Sequence, residues 1–382
     1  MSKSKTCFGI IVGNRGFFPD ELATEGYKTL PALLKKLGYS SIILNEKDTK
    51  CGAVETWADA KKCADVFKKN RDKIDGVIVT LPNFGDERGV ADTLKLANLD
   101  VPVLVHAWED DPKQMDGKHR RDSFCGKMSV CNNLIQYGIP FSLTTNHTMD
   151  PNTDAFAEDI HWFAAVCRVT NGLRKLRIGA LGARPANFTT VRYSEKLLQE
   201  SGISVETLDL SELFGRAEAM SDSSGDVTAR VKKIMDYTVT KGVPPKTLTK
   251  MAKLGVVIDN WMKDADLDVT AVQCWTSMEQ YFGVVPCTIM SMLSENLRSS
   301  ACEVDVCGVI GMHALALASG TPSYLLDWNN NYGPDPEKCV CFHCSNIAKS
   351  ALAESRMDYQ KIIAGTVGKD KTYGTIVGRI KP

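Results

Sequence analysis

The chain has 382 residues, of which 43% are hydrophobic and 24% are charged. This size and composition are typical of a globular protein with two or three domains and complete hydrophobic cores. Lysine plus arginine and aspartate plus glutamate both number 46, so the formal net charge is zero. A neutral chain is not expected to be a general binder of nucleic acid or of an anionic membrane surface.

The N-terminal residues and the cysteines predict a cytoplasmic protein. Residues 1–5 are polar and lead directly into an apolar strand-like run, without the longer apolar region of a secretion signal. No window approaches the roughly 18 apolar residues that indicate a membrane span. The 13 cysteines are scattered, and without an export signal we expect free thiols in a reducing compartment.

Apolar strands alternate with helical patterns through the first part of the chain. We expect strands over residues 7–13, 41–44, 76–81, 102–107 and 140–143, and helices over residues 20–37, 56–67, 86–96 and 123–137. Near-continuous apolar strands separated by helices predict a parallel sheet that is covered on both faces. We therefore expect an N-terminal α/β domain over residues 1–150.

The alternation restarts after a long helix expected over residues 154–173. It predicts a second α/β domain over residues 151–350, and both domains are expected to be Rossmann-like, with doubly wound parallel sheets. The glycine-rich, strand-like residues 365–379 change the pattern. Residues 351–382 are therefore expected to be the start of a C-terminal β domain.

The second α/β domain has its own expected elements. We expect strands over 177–182, 204–208, 269–274 and 323–326. We expect helices over 191–200, 287–297 and 306–318, with a largely helical span to about 264.

A glycine-containing loop follows the first strand of each predicted sheet, at residues 13–19 and 179–185. Ligands bind at this edge of open α/β sheets, but neither loop has the glycine spacing of a dinucleotide site. Arg15 is a candidate for contact with a polar ligand or an adjacent subunit, and a surface arginine in a tight turn is the alternative. His106, at a strand end, could line a cleft or simply bond to its neighbours.

Acidic residues stand in apolar surroundings near the end of the second predicted domain. Glu303 lies within the apolar run 301–309, and Asp327 follows 24 residues later. Desolvating a carboxylate is costly unless it is paired or bound to a metal. The intervening helix, turn and expected strand can return Asp327 to the side of Glu303, whereas Asp305 is placed to cap the helix.

Donor chemistry favours a hard divalent cation at these carboxylates. Oxygen ligands from Glu303 and Asp327, together with the imidazole of His343, suit Mn²⁺ or Mg²⁺ better than a thiolate site does. The cysteine-rich residues 339–344 are not expected to hold zinc or an iron–sulfur cluster, because a second Cys/His pair at suitable spacing is not evident. The cysteines around Glu303 are interpreted as small packing residues.

Several of these motifs resemble the L-fucose/L-arabinose isomerase family. The most specific part is Cys-Glu-Val-Asp-Val at residues 302–306 with the downstream Asp327. The resemblance covers most of the chain. It also includes residues 13–19, 273–275, 285–287, 319–322 and 342–344.

The resemblance implies an oligomeric, metal-dependent aldose–ketose isomerase with two Rossmann-like domains and a C-terminal β domain. Glu303 and Asp327 would be metal ligands and also the acid/base pair, and His343 would be a further ligand of Mn²⁺, or of Mg²⁺ or Co²⁺. In the family the C-terminal domain supplies another histidine, and no histidine follows His343 in this sequence.

The resemblance also implies contacts to a small sugar substrate. Arg15, Trp275 and Asn329 are the candidate substrate-binding residues, with Arg15 reaching the substrate of a neighbouring subunit in a homo-oligomer. L-Fucose, D-arabinose, L-arabinose and a sulfonated hexose such as sulfoquinovose are all compatible with this interpretation.

Two other functions stay open at this point. A non-catalytic sugar-binding protein would explain two α/β domains without a metal, but it would not explain the carboxylates in apolar surroundings. An inactive isomerase homologue that serves as an assembly subunit would carry the same motifs without the chemistry.

Overall fold

A computed structural model describes residues 6–344, 346–361 and 371–381 of the chain. These residues form two compact units, Met1–Asn171 and Gly172–Pro382. Each unit is organised around its own parallel sheet. The domain boundaries expected near residues 150 and 350 stay predictions.

The first unit alternates strands and helices, as the sequence predicts. Its strands are β1 (Cys7–Val12), β2 (Ser40–Ile43), β3 (Gly76–Leu81), β4 (Val103–Ala107) and β5 (Ser142–Leu143). Its helices are α1 (Asp20–Lys36), α2 (Trp57–Lys69), α3 (Glu87–Ala97), α4 (Ser123–Gln136) and α5 (Asp154–Leu173). The strands pair in parallel in the order β2-β1-β3-β4-β5.

Both faces of the first sheet are covered because alternate residues of each strand point to opposite sides. Ile10 of β1 packs with helices α1 and α5, through residues such as Leu30 and Phe163. The next residue, Ile11, packs on the other face with residues of α2 and α3, such as Phe67 and Val90. The near-continuous apolar strands therefore reflect burial on two sides.

The second unit repeats this plan. Its strands are β6 (Arg177–Leu181), β7 (Ser204–Leu208), β8 (Val269–Val272) and β9 (Ser300–Ala301), paired in parallel in the order β7-β6-β8-β9. Its helices are α6 (Glu195–Glu200), α7 (Leu210–Glu218), α8 (Gly225–Tyr237), α9 (Pro245–Asp264), α10 (Cys287–Glu295) and α11 (Val306–Ser319). The predicted fold class, with two doubly wound parallel sheets, is confirmed.

Antiparallel hairpins follow the second sheet. Strand β10 (Asp327–Tyr332) pairs with β11 (Asp335–Phe342), and β12 (Arg356–Tyr359) pairs with β13 (Tyr373–Val377). The second hairpin agrees with the expected start of a β unit. The glycine-rich stretch predicted over 365–379 lies partly outside the described residues, at 365–370.

One predicted strand is wrong. Residues 323–326 are apolar, but they form no strand, and β10 begins only at Asp327. Their side chains are used for packing instead, with Tyr324 and Leu326 beside Ile347, Leu352 and Ile376. A short apolar run can bury its side chains without pairing its backbone, and pattern alone does not separate the two cases.

No helix in the described parts of the chain has both the length and the apolar composition that a membrane crossing requires.

His106 on β4 is a buried histidine whose ring is fully bonded. Its Nε2 donates to the Met149 carbonyl at 2.9 Å, and its Nδ1 lies 3.0 Å from the Thr80 hydroxyl. The residue is 0% exposed, and burial lowers its pKa from 6.5 to about 4. Of the two possibilities for His106, the structure supports bonding to its neighbours.

The neutral state of His106 should make stability depend on pH. The unfolded chain binds a proton at this position below pH 6.5 and the folded chain only near pH 4, so stability is lost as the pH falls through this window. The slope contributed is up to about 1.4 kcal/mol per pH unit. Urea unfolding across this window should show a shallower pH dependence in His106→Gln than in the unaltered chain. The exposed His147, replaced by Gln, serves as the matched control, and an unchanged slope in His106→Gln would contradict the assignment.

Candidate active site

Two neighbouring strands of the second sheet end at the same edge. Strands β8 and β9 pair through Thr270 with Ser300 and Ala271 with Ala301. The chain then continues as Gln273, Cys274 and Trp275 after β8, and as residues 302–305 after β9. Side chains from both loops therefore meet at the carboxyl edge of the sheet, where open α/β proteins bind their ligands.

The turn after β9 has an unusual backbone. Glu303 and Val304 have φ values of +57° and +53°, a region that is rare for side-chain-bearing residues and especially for a β-branched valine. The Val304 amide donates to the Val272 carbonyl at 3.3 Å, which ties the turn to β8. Asp305 then accepts from the Gly308 amide at 2.7 Å and caps α11, as predicted. The turn directs the Glu303 side chain inward and the Asp305 side chain to the helix terminus.

Glu303 is a buried carboxylate with 9% of its surface exposed. Its Oε1 accepts from the indole N–H of Trp275 at 3.1 Å and from the Cys274 thiol at 3.4 Å. Burial raises the pKa of the Glu303 carboxyl, and the nearby Asp327 raises it too, whereas the Trp275 hydrogen bond and His343 act in the opposite direction. The sequence-based expectation of a partnered carboxylate in apolar surroundings agrees with this environment.

His343 joins Glu303 at this edge. A nitrogen of His343, a carboxylate oxygen of Glu303 and the sulfur of Cys344 all lie within 4.8 Å of one another. His343 is 8% exposed, and its Nδ1 is buried without a hydrogen-bond partner among the described residues. A buried carboxylate beside an imidazole nitrogen that lacks a partner is a donor set that fits a divalent cation.

Asp327 is brought near the same position by the β10–β11 hairpin. It pairs with Phe342, the residue before His343. Asp327 is exposed, and its charge raises the pKa of both Glu303 and Cys344. It lies outside the groups whose ligand atoms fall within 4.8 Å among the described residues. Asp327 is therefore within electrostatic range of Glu303.

The candidate substrate-binding residues occupy different places. Trp275 is half-buried against Glu303. Asn329 is exposed and stands at an irregularity of β10, between the paired residues Trp328 and Asn330. A bulge of this kind re-aims a side chain at the rim of a sheet.

Arg15 belongs to the first unit, in the loop after β1. Its Nε donates to the Gly85 carbonyl at 2.8 Å, its guanidinium pairs with Glu87, and it lies 4.4 Å from the centre of the Phe84 ring. The preceding Asn14 accepts from Asn83 at 2.7 Å, which links the loops after β1 and β3. These contacts hold Arg15 at the carboxyl edge of the first sheet.

Thiols surround the Glu303 carboxylate, and this was not predicted. Sulfur atoms of Cys274 and Cys302 and an oxygen of Glu303 all lie within 4.8 Å of one another. Cys274 and Cys287 both act to raise the pKa of the Cys302 thiol. Cys274 and Cys302 belong to the hydrophobic core, which agrees with their interpretation as packing residues. Sequence reasoning missed their approach to Glu303, although Cys302 and Cys344 directly adjoin Glu303 and His343 in the sequence.

The first unit is similar to a known protein family. Residues 9–174 match the family described as fucose/sulfoquinovose isomerase, N-terminal domain. This match covers the first sheet and its helices, including Arg15.

Comparison with curated proteins extends the similarity beyond the first unit. A protein named sulfoquinovose isomerase from Priestia megaterium is 27% identical over 282 residues, which are 73% of this chain and 60% of the relative. Proteins of the same name from Clostridium sp. and Alkalicoccus urumqiensis are 26% and 24% identical, over 55% and 67% of this chain and 47% and 56% of their own lengths. The chain thus spans about 60% of the length of the first of these relatives.

The Trp275 hydrogen bond should control cation binding at Glu303. Trp275→Phe removes the N–H donor that favours the charged carboxylate, so the Glu303 pKa should rise further and protons should compete more strongly with a cation. We expect Mn²⁺ affinity to fall by about 10–100-fold, most strongly at acidic pH. Electron paramagnetic resonance of free Mn²⁺ measures this affinity.

Trp57→Phe is the matched control, because Trp57 is an exposed tryptophan of α2 in the first unit. Equal Mn²⁺ affinity in Trp275→Phe and the unaltered chain at every pH would show that the hydrogen bond does not support the site.

Proposed function

We propose that the chain belongs to the fucose/sulfoquinovose isomerase family, to which residues 9–174 and the curated relatives are similar, and that it is a metal-dependent aldose–ketose isomerase. The observation that supports this function is the meeting of Glu303 and His343 at the carboxyl edge of the second sheet, with Asp327 within electrostatic range. A non-catalytic sugar-binding protein would not require a buried carboxylate at this position.

We propose sulfoquinovose or a related sugar as the substrate. The curated relatives carry the name sulfoquinovose isomerase, and the family description includes fucose. L-Fucose, D-arabinose and L-arabinose are the alternatives in the same substrate class. Trp275, Asn329 and Arg15 are the proposed sugar contacts, with Arg15 serving a neighbouring subunit of a homo-oligomer in the cytoplasm.

The chemistry requires more than proton transfer alone. Isomerisation moves a proton between C2 and C1 of the sugar through an enediol. General acid–base catalysis contributes about 10²–10⁴-fold, whereas enzymes commonly accelerate reactions by about 10⁶-fold or more. A divalent cation supplies the missing contribution when bound, as a Lewis acid at the sugar oxygens. Glu303, Asp327 and His343 would hold this cation, for which Mn²⁺ is proposed ahead of Mg²⁺ and Co²⁺.

The residues of this chain would carry out the proton transfer itself. Glu303 and Asp327 would flank the C1–C2 unit, one removing the proton and the other returning it. Burial raises the pKa of Glu303, which brings its proton exchange closer to neutral pH, where a general acid or base works best. The exposed Asp327 has a different environment, and unlike environments suit the two carboxylates of a pair to opposite roles.

A direct test follows the sugar by NMR in D₂O. The full chain, supplied with Mn²⁺, should convert sulfoquinovose or one of the alternative sugars to the matching ketose and incorporate solvent deuterium at the transferred position. Glucose is the matched control for the sulfonate, since the two sugars differ at C6. Binding of these sugars without conversion of any would overturn the proposal.

Loss of either carboxylate should remove activity and leave the fold intact. Glu303→Gln and Asp327→Asn should each lower kcat by at least about 10²-fold, because each removes a proton-transfer group. Circular dichroism and urea unfolding report the fold, and conversion of the preferred sugar reports the rate.

Each variant has a control nearby in the sequence. Asp305→Asn should stay active, because asparagine also caps helices well and Asp305 serves α11. Asp335→Asn alters a carboxylate of the same hairpin as Asp327, one that pairs with Lys338. Near-normal kcat in both Glu303→Gln and Asp327→Asn would refute the assignment.

A further inference from the structure

We propose that Cys274, Cys302 and Glu303 form a second metal position, specific for a thiophilic divalent cation such as Zn²⁺. This position shares the Glu303 carboxylate with the proposed isomerase site, but its two thiol ligands have no assigned role in binding the isomerase cation or in proton transfer. It therefore goes beyond the proposed function.

The distances among the three donor atoms fit one tetrahedral ion. Zinc binds sulfur at about 2.3 Å and carboxylate oxygen at about 2.0–2.2 Å, so two ligands of one ion lie about 3.6–3.8 Å apart in a tetrahedral site. The Cys274 sulfur already lies 3.4 Å from Glu303 Oε1. All three donor atoms lie within 4.8 Å of one another. Small side-chain adjustments would complete the geometry.

The elements that carry these residues are firmly connected. Cys274 follows β8, and Cys302 and Glu303 follow β9, the strand paired with it. The Val304–Val272 hydrogen bond joins the turn after β9 to the end of β8. Metal donors placed on rigid elements keep their geometry better than donors on free loops.

The sulfurs of Cys274 and Cys302 lie in the hydrophobic core of the second unit. Cys302 is 0% exposed and Cys274 is 2% exposed. Cys287, the first residue of α10, is a further fully buried thiol of this unit. Glu303 also belongs to a second group with His343 and Cys344, and the Nδ1 of His343 is buried without a partner among the described residues. The carboxylate is therefore shared by two groups of possible metal ligands.

Donor softness predicts which ion this position selects. Thiolates favour zinc over manganese and magnesium, and the affinity order of divalent ions also places zinc above manganese. An ion held by Cys274 and Cys302 would bind the same Glu303 carboxylate that the neighbouring position with His343 uses. Zinc bound here should therefore oppose manganese binding at the neighbouring position.

The test uses Cd²⁺, which reports thiolate bonds through an ultraviolet charge-transfer band. The full chain should carry Cys339→Ser and Cys341→Ser, because the sulfurs of these two residues lie only 3.5 Å apart on the exposed strand β11. In this background we expect a saturable thiolate–cadmium band. Cys274→Ala and Cys302→Ala should each weaken binding by at least about tenfold and reduce the band.

Two further variants separate this position from other thiols. Cys63→Ala removes a fully buried thiol of α2 in the first unit and should leave the band unchanged. Cys344→Ala should also preserve the band, because Cys344 belongs to the neighbouring group with His343. A band that disappears with Cys344→Ala but survives both Cys274→Ala and Cys302→Ala would overturn the proposal.

A second measurement needs no change at these cysteines and so does not depend on whether the variants fold. The ¹¹³Cd NMR resonance of the background protein should fall in the range of sites with two sulfur ligands. A resonance in the range of oxygen and nitrogen ligands alone, or no bound cadmium, would overturn the proposal. Both readouts are independent of sugar conversion, so their outcome is separate from that of the isomerase test.

Discussion

The candidate site of the second unit depends on the free-energy cost of burying the Glu303 carboxylate. A desolvated charge is stable only when its neighbours replace the hydrogen bonds of water. Trp275 and Cys274 donate to one oxygen of Glu303, and His343 lies beside the group. The pKa of Glu303 is nevertheless raised, with burial as the largest cause. The protein thus compensates the burial only in part, which leaves a carboxylate suited to bind a cation or exchange a proton.

The parallel sheet explains why these partners can meet. Trp275 and Glu303 are 28 residues apart in the sequence, but they follow paired strands whose carboxyl ends share one edge. The positive φ values at Glu303 and Val304 turn the chain sharply enough to serve two purposes. They direct Glu303 into the site and leave Asp305 free to cap α11. Strained backbone of this kind persists only where its surroundings hold it, often at functional sites.

Sequence reasoning succeeded where local pattern decides the structure. The helices Asp154–Leu173 and Val306–Ser319 have long apolar patterns, and the second also has an aspartate cap, so their positions could be predicted. The strand expected at 323–326 was wrong because its apolar side chains pack without backbone pairing. The clustering of Cys274 with Cys302 could not be predicted, since it depends on the register of β8 and β9, and that register is a property of the folded sheet.

The Glu303 carboxylate belongs to two groups of possible metal ligands, and this affects which cation it can bind. Among the described residues, Glu303 belongs to one group with Cys274 and Cys302 and to another with His343 and Cys344. The two groups share this carboxylate, so an ion bound in one group competes with an ion in the other for its charge. Asp327 is an oxygen donor on the exposed hairpin. If it joins the group with His343, the preference of the site moves toward a hard cation such as Mn²⁺ or Mg²⁺. The position of that hairpin would then determine which cation Glu303 binds, because the thiols lie in the core whereas Asp327 lies at the surface.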